Sequence, residues 1–174
     1  DKIYAKFSTF LSFFERKGKK IDEGKYHSDR EYDVMLLGYN RIGFDLLTSL
    51  KKIRKRVLIV DYNPDTIKRL VKQGYDCRYG DAGDSELLDD LNISKVKMIV
   101  STIPDLDTNM LVIKKIRKTN KKTIIIAISH QIDETLKLYK EGATYVIMPH
   151  FLGGHYTSQL IEKYEFDIDK FLEE

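Results

Sequence analysis

Residues 34–43, with the sequence VMLLGYNRIG, decide the fold of this 174-residue chain. Four apolar residues indicate a buried strand, and the turn after them leads directly into an amphipathic segment. In a dinucleotide-binding turn the first glycine makes the tight bend, the second lets a pyrophosphate approach, and the third allows close helix packing. Gly38 and Gly43 take the first and third positions, and Asn40 takes the second. We therefore expect a phosphate-binding strand–turn–helix in which Asn40 crowds the phosphate path. A turn without a ligand is the alternative.

An acidic residue follows at the spacing that such a turn requires. Asp61 ends the second apolar run, eighteen residues after Gly43, where a carboxylate accepts hydrogen bonds from ribose hydroxyls. No arginine follows it to accommodate a 2′-phosphate, which favours NAD-like or adenosine ligands over NADP. Asp61 could instead cap the helix that starts at Asn63 and Pro64. Beside the glycine turn, ribose binding is the better interpretation.

Strand and helix patterns alternate through the rest of the chain. Short β-branched runs joined by amphipathic stretches predict a Rossmann-like, doubly wound, parallel six-stranded α/β sheet. Asn63 before Pro64 predicts a helix start, and Gly74 and Gly142 predict helix ends. The predicted strands are residues 34–37, 57–60, 76–79, 98–101, 123–128 and 145–148, and the predicted helices are 41–53, 64–73, 85–91, 106–118, 132–141 and 156–164.

Residues 1–31 predict a separate segment in front of a domain that spans residues 32–174. Apolar residues recur at helical spacing through residues 3–14, which indicates an amphipathic helix, and the polar residues 21–31 are typical of a linker. The chain begins with Asp1 instead of Met, so we expect it to be a piece of a longer protein.

Composition excludes several classes of protein. The 30 basic and 27 acidic residues give a net charge of +3, too mild to imply a nucleic-acid binder. A single cysteine, Cys77, excludes an internal disulfide and a cysteine zinc site, and fits a reducing cytosol. Phe44 and Asp45 replace the Lys and Ser/Thr of a P-loop, and no tyrosine is followed by a lysine four residues later. These departures exclude a P-loop NTPase and a short-chain dehydrogenase.

Histidines and basic clusters complete the set of candidate features. His130, His150 and His155 follow the fifth and sixth strands, where open α/β sheets bind ligands. They could contact a ligand, sense pH or have no functional role, and a metal site would need further ligands. The basic residues near 51–56 and 114–122 complement helix dipoles at helix C-termini. They could instead face anionic lipid or acidic protein.

These motifs together resemble the TrkA-N domain, also called the KTN or RCK domain, a cytosolic nucleotide-binding regulator of potassium channels and cation transporters. The resemblance covers residues 33–174. Residues 1–17 are similar to the stretch after the last membrane helix in monovalent cation:proton antiporters of the glutathione-regulated potassium-efflux type. The motifs that carry the main resemblance are residues 38–43, Asp61, residues 80–82, residues 101–103 and residues 149–154.

The resemblance implies a regulatory domain without enzymatic activity, attached to its own membrane transport domain at the cytoplasmic face of the membrane. It implies strand order 3-2-1-4-5-6 and a homodimer or higher oligomer, with the helix after Gly153 and Gly154 crossing to the neighbouring subunit. The implied ligand is an adenine nucleotide, either NAD(H) or AMP, ADP or ATP. Because the second glycine is missing, a mononucleotide such as AMP is favoured over a dinucleotide. No nucleic acid is expected. The implied nucleotide-binding residues are Gly38, Tyr39, Asn40, Arg41, Ile42, Gly43, Asp61, Tyr62, Asp81, Ala82, Thr102 and Ile103.

Two other functions stay open on the residues alone. A nicotinamide-dependent oxidoreductase fragment would share the glycine turn, but roughly 10 residues remain after the final predicted helix to supply a substrate domain. A dimerisation module with a decayed nucleotide site is compatible with Asn40. Nucleotide binding and turnover distinguish the three functions.

Overall fold

The apolar run Val34–Leu37 forms β1, whose side chains are all buried. In the computed structural model, which describes residues 30–39 and 42–174, β1 lies inside a six-stranded parallel sheet. The strand order is β3-β2-β1-β4-β5-β6. The predicted fold class and the implied strand order are both confirmed. The strands are β1 Val34–Leu37, β2 Val57–Asp61, β3 Asp76–Tyr79, β4 Met98–Ser101, β5 Ile124–Ile128 and β6 Tyr145–Ile147.

Helices connect and follow the strands, and their ends carry the predicted signals. The Asn63 side chain caps α2 by accepting from the N–H groups of Asp65 and Thr66. Gly74 and Gly142 end helices with left-handed φ values of 83° and 117°, a conformation that glycine adopts without a Cβ penalty. A short 3-10 helix, Ile93–Lys95, precedes β4. The α-helices are α1 Ile42–Lys52, α2 Pro64–Lys72, α3 Ser85–Asp90, α4 Leu106–Thr119, α5 Ile132–Glu141, α6 Pro149–Tyr164 and α7 Ile168–Glu173.

The sheet has a hydrophobic core on each face. Val34 and Leu36 belong to a cluster with Leu47 of α1, whereas Met35 and Leu37 belong to a second cluster. This division follows from the pleat, because successive side chains of a strand point to opposite faces. Helices α1 and α2 supply the first cluster and α3, α4 and α5 the second. The candidate functional site lies at the carboxyl ends of the strands.

The C-terminal region differs from its prediction. Residues 149–155 were expected to lead into a helix at residue 156, but α6 begins at Pro149 and runs through Gly153 and Gly154. Proline is tolerated in the first helical turn because its missing N–H has no intrahelical partner there. Glycine costs about 1 kcal/mol in a helix interior and does not forbid a helix. Helix α7 was not predicted. Every other predicted end that the structure describes is correct to within one residue.

One further expectation concerns the start of the chain. The predicted amphipathic helix and most of the linker lie outside the described residues, so the division at residue 31 stays a prediction. Among the helices that the structure describes, none has both the length and the apolar character needed to cross a bilayer.

Candidate functional site

The turn after β1 depends on glycine at position 38. Gly38 has a φ of 81°, and its N–H donates to the carbonyl of Val60 at 2.8 Å. A Cβ at this position would lie 2.7 Å from Oγ1 of Thr102. The Thr102 hydroxyl in turn donates to the Gly38 carbonyl at 3.1 Å. The loop after β4 therefore packs directly onto the turn and leaves no room for a side chain.

Gly43 brings helix α1 against the same turn. A Cβ on Gly43 would lie 2.8 Å from the carbonyl oxygen of Gly38, so the close helix packing expected of the third glycine is present. The first N–H groups of a helix have no intrahelical partners and carry a partial positive charge, which suits a phosphate. Asn40 and Arg41 lie outside the described residues, and their predicted phosphate contacts stay predictions.

Asp61 joins the ends of β1 and β2. Its side chain is only 7% exposed, and Oδ2 accepts the N–H of Tyr39 while Oδ1 accepts the N–H of Asn63, both at 2.8 Å. The two interpretations of Asp61 are therefore compatible, because it orders the start of α2 and also fixes the turn. A carboxylate offers about four acceptor positions. Two of them are occupied by these backbone N–H groups.

These residues border a cleft of about 560 Å³ at the carboxyl edge of the sheet. Its volume lies within the range of small-molecule sites. The cleft extends from the end of β2 past the end of β5 to the start of α6. The ends of β2 and β5 are three strand spacings, or about 14 Å, apart. The lining residues are Gly38, Ile42, Asp61, Tyr62, Asn63, Thr102, Ile103, Pro104, Ile128, His130, Pro149 and His150.

Several predicted site residues lie elsewhere. Tyr39 is buried, with its ring edge-on to Phe44 at 6.3 Å between centroids, so only its backbone takes part in the turn. Ala82 belongs to the core, and the carboxylate of Asp81 accepts the N–H of Gly83. Asp81 and Ala82 do not line the cleft, because both follow β3, the edge strand that lies farthest from the centre of the cleft.

The far wall of the cleft holds residues that were not among the predicted binding residues. His130 follows β5 and His150 lies in the first turn of α6, with their ring centroids 5.1 Å apart. Their position after strand ends was visible in the sequence, whereas their mutual contact depends on the strand order. Asn63, Pro104, Ile128 and Pro149 follow or end strands in the same way, and that position is the only signal that could have identified them.

A buried amide holds two walls of the cleft together. Asn109 of α4 is 1% exposed, and its Nδ2 donates to the carbonyl of Ile103 at 2.8 Å and to that of Ile128 at 3.4 Å. These carbonyls lie in the loop after β4 and at the end of β5. An asparagine on the apolar face of a predicted helix was the available signal for this role.

The charges of the cleft are few. Asp61 is the only Asp, Glu, Lys or Arg among the described lining residues. At the rim, hydrogen bonds from the side chain and backbone of Thr108 lower the pKa of Asp105, which caps α4. No three His, Cys, Asp or Glu side chains within residues 30–39 and 42–174 are placed to hold a metal ion. Attraction for an anion in this part of the chain must come from backbone N–H groups and the two histidines.

Comparisons with known proteins agree with this geometry. The chain is 26% identical over 145 residues to the glutathione-regulated potassium-efflux system protein KefC of Escherichia coli O139:H28 (strain E24377A / ETEC), which covers 83% of this chain and 22% of KefC. The chain thus spans about a fifth of the length of this relative.

Solved structures share the fold at low identity. The TrkA-N domain of the inner membrane protein ybaL from Escherichia coli superposes with a TM-score of 0.71 at 22% identity, covering 76% of this chain and 98% of that one. The GsuK channel bound to NAD gives 0.63 at 22% identity, covering 84% and 26%. The Shewanella denitrificans Kef CTD in its AMP-bound form gives 0.65 at 18% identity, covering 80% and 85%.

The family model of the TrkA-N domain matches residues 34–149, from the first residue of β1 to the first residue of α6. This match includes every lining residue of the cleft except His150. It covers more than half of the chain, and the chain therefore belongs to the TrkA-N domain family.

Proposed function

We propose that this chain is the cytosolic nucleotide-sensing domain of a longer protein that transports potassium or another monovalent cation. The observation that carries the proposal is the cleft in which the Gly38 turn and Asp61 meet. The similarity to a potassium-efflux protein supports the link to cation transport. In this proposal, residues 1–31 connect the domain to its membrane transport domain, and the domain lies at the cytoplasmic face.

The proposed ligand is an adenine nucleotide. Asp61 holds the ribose, while the Gly38 turn and the start of α1 hold a phosphate. Structural relatives are described as bound to NAD and AMP, which supports this class of ligand. Asn40 in place of the second glycine favours AMP over a dinucleotide. The cleft also reaches His130 and His150, which lie on the side away from Asp61.

The proposed assembly is a homodimer through helices α6 and α7. No residue of either helix is buried, although both carry large apolar side chains. Exposed apolar patches of this kind mark interaction surfaces. The exposed apolar side chains include Phe151, Leu152, Tyr156, Ile161, Phe166, Ile168, Phe171 and Leu172.

Helix α6 provides a route from the cleft to the dimer contact. Its first residues, Pro149 and His150, line the cleft, and its later turns belong to the proposed dimer surface. A nucleotide that binds two orientations of α6 with different affinity shifts the balance between them, and only to the extent of that difference. The linker then transmits the change to the transport domain. No chemical step is required of the domain.

Thermal unfolding of the 174-residue chain with NAD, NADH, AMP, ADP and ATP in separate samples tests the proposal. A ligand at about 100 times its dissociation constant stabilises the folded state by about 2.7 kcal/mol. One nucleotide should raise the melting temperature clearly. The shift should disappear in Asp61→Ala and Gly38→Val and persist in Asp65→Ala, an exposed carboxylate of α2 that does not line the cleft.

Each of the other outcomes has its own meaning. No shift with any nucleotide would contradict the sensing proposal and favour a dimerisation module. Oxidation or reduction of a nicotinamide nucleotide in the presence of small alcohols, aldehydes and ketones would favour the oxidoreductase alternative instead.

A further inference from the structure

The two edges of the sheet carry opposite charge. We define the amino edge as residues 30–33, 51–57, 72–76, 92–98, 118–124 and 140–145, where helices end and strands begin. These segments contain thirteen Lys or Arg and four Asp or Glu residues. The described residues of the opposite, carboxyl edge are 38–39, 61–63, 80–84, 102–105, 129–131 and 148, where strands end and helices begin. They contain Asp61, Asp81, Asp84 and Asp105 and no Lys or Arg. A net charge of +3 for the whole chain conceals this separation.

Helix dipoles account for only part of the positive charge. Lys51 and Lys52 lie in the last turn of α1, where cations complement the dipole. Many of the other cations lie beyond helix ends, in loops or next to strand starts, where no helix terminus requires them. These are Arg30, Arg54, Lys55, Arg56, Lys97, Lys121 and Lys122.

The acidic residues of this edge do not neutralise it. Asp33 contacts both Lys97 at 2.9 Å and Arg56 at 3.8 Å, and Asp76 contacts Arg30 at 3.3 Å. Within the described part of the chain, no ion pair involves Lys52 at the end of α1 or Arg54 and Lys55 in the turn after it. All three are exposed.

The basic residues extend along this edge, with Glu31 and Asp33 among them in front of β1. These basic residues precede β2, β1, β4 and β5, which are adjacent strands, so the row is about 14 Å long. A groove of about 440 Å³ opens in the same edge, and its charged lining residues are the four cations Arg30, Arg56, Lys95 and Lys97 and the two acids Glu31 and Asp33. The surface thus combines a row of cations with a recess between them.

An apolar residue lies within this basic surface. Ile53 is 55% exposed and stands between Lys52 and Arg54 in the turn after α1. Arg54 itself has a left-handed φ of 52°, so the backbone turns sharply at this point. An exposed aliphatic side chain surrounded by cations is typical of a membrane interface. There the aliphatic side chain enters the boundary between headgroups and acyl chains, and the cations contact the anionic headgroups.

We infer that the amino edge binds the surface of a bilayer that contains anionic phospholipid. Its charge is complementary to that surface, and Ile53 suits a bilayer better than it suits a soluble polyanion. The preceding residues join the domain at Arg30, on the same edge. The direction in which this edge faces in the full protein rests on the proposed function, whereas its affinity for anionic lipid does not.

Sedimentation of the 174-residue chain with lipid vesicles tests the inference. Vesicles with about one-third phosphatidylglycerol in phosphatidylcholine should bind the chain at about 100 mM salt, and vesicles of phosphatidylcholine alone should not. Each basic residue near such a surface contributes about fivefold to the partition coefficient. The triple variant Lys52→Gln, Arg54→Gln, Lys55→Gln should therefore bind roughly 100-fold more weakly.

A matched triple variant separates position from net charge. Lys68→Gln, Lys137→Gln, Lys170→Gln removes the same charge from exposed positions off this edge and should bind vesicles like the unaltered chain. Ile53→Ser should weaken binding several-fold while leaving its salt dependence unchanged, because no charge is altered. Melting temperatures of all variants check that each is folded.

The possible contrary results are distinct. Equal losses in the two triple variants would show that only net charge matters and would overturn the inference. Binding of polyuridylate at least as tight as binding of the vesicles, and equally sensitive to the first triple, would assign the surface to nucleic acid instead. The first triple variant should keep any nucleotide-dependent thermal shift, so failure of lipid binding does not depend on failure of nucleotide sensing.

Discussion

Gly38 and Gly74 share a left-handed backbone but differ in their surroundings. Their φ values are 81° and 83°. A Cβ on Gly74 would have no atom within 4 Å, whereas one on Gly38 would lie 2.7 Å from Oγ1 of Thr102. The pair therefore separates the cost of the backbone conformation from the cost of steric overlap.

We expect Gly74→Ala to lower the free energy of unfolding by about 1 kcal/mol, the penalty for a left-handed alanine. Gly38→Ala should cost at least about 1 kcal/mol more, because an added methyl group in a packed site forces its neighbours to move. Urea unfolding of both variants measures the difference. Equal losses would show that the loop bearing Thr102 moves away freely, contrary to the tight packing of the turn.

Asp33 connects the starts of three strands at the amino edge. It directly precedes β1, its carboxylate accepts a hydrogen bond from Nζ of Lys97 at 2.9 Å, and it accepts the N–H of Arg56 at 3.3 Å. The hydrogen bond from Lys97, followed by that from the Arg56 backbone, lowers the pKa of Asp33 below its ordinary value of 3.8. The folded state therefore favours the charged carboxylate.

The sign of the pH dependence follows from this lowered pKa. The contribution of Asp33 to stability is fully present above pH 3.8 and is lost as the pH falls through the lower pKa of the folded state. We expect Asp33→Asn to reduce the free energy of unfolding at neutral pH by about 0.5–1 kcal/mol, because the side chains of Lys97 and Arg56 are exposed and solvent screens the interaction. The difference from the unaltered chain should shrink below pH 3.8. A difference that stays constant down to acid pH would mean that charge at Asp33 is unimportant.

At the scale of elements, α6 is the least typical helix of the described fold. It has sixteen residues and none of them is buried, whereas α1 to α5 each bury residues against the sheet. Leu152 and Ile161 are 50% and 56% exposed. They are nine residues apart, so they lie on opposite sides of the helix.

We expect the double variant Leu152→Asp, Ile161→Asp to convert a dimer into a 20.4 kDa monomer, because a carboxylate buried in an apolar contact is strongly unfavourable. Size-exclusion chromatography with light scattering gives the mass. The control is Ile132→Asp, Leu136→Asp, which alters two equally exposed residues of α5. A monomer from the α5 variant and a dimer from the α6 variant would place the subunit contact on α5 instead.

The same helix shows where local sequence patterns fail. Its start was misplaced because proline and a glycine pair are typical of loops, and only the surrounding structure decides whether a helix continues through them. The ends of α2 and α5 were predicted correctly because Asn63 and Gly142 act within one turn of chain. Local signals were reliable where the stabilising contact is local.

At the scale of the whole molecule, the same distinction applies to the cleft. Gly38, Asp61 and Thr102 were predictable as residues of the cleft because each ends or directly follows a strand that lies near the centre of the sheet. Asp81 and Ala82 follow β3 and do not line the cleft, although their position along the chain is equivalent. The contact between His130 and His150 depends on which strands are neighbours, and neither spacing nor periodicity in the sequence reveals it.

The place of β1 in the sheet also constrains how the protein is made. Val34 pairs with Val57 on one side and with Met98 on the other, so the second partner lies 64 residues further along the chain. At about 5–20 residues per second, a ribosome needs roughly 3–13 s to supply it. During that time one edge of an apolar strand is exposed and can pair with other chains. A strand that is paired on both sides in the finished domain is therefore an open edge while the rest of the domain is still being made.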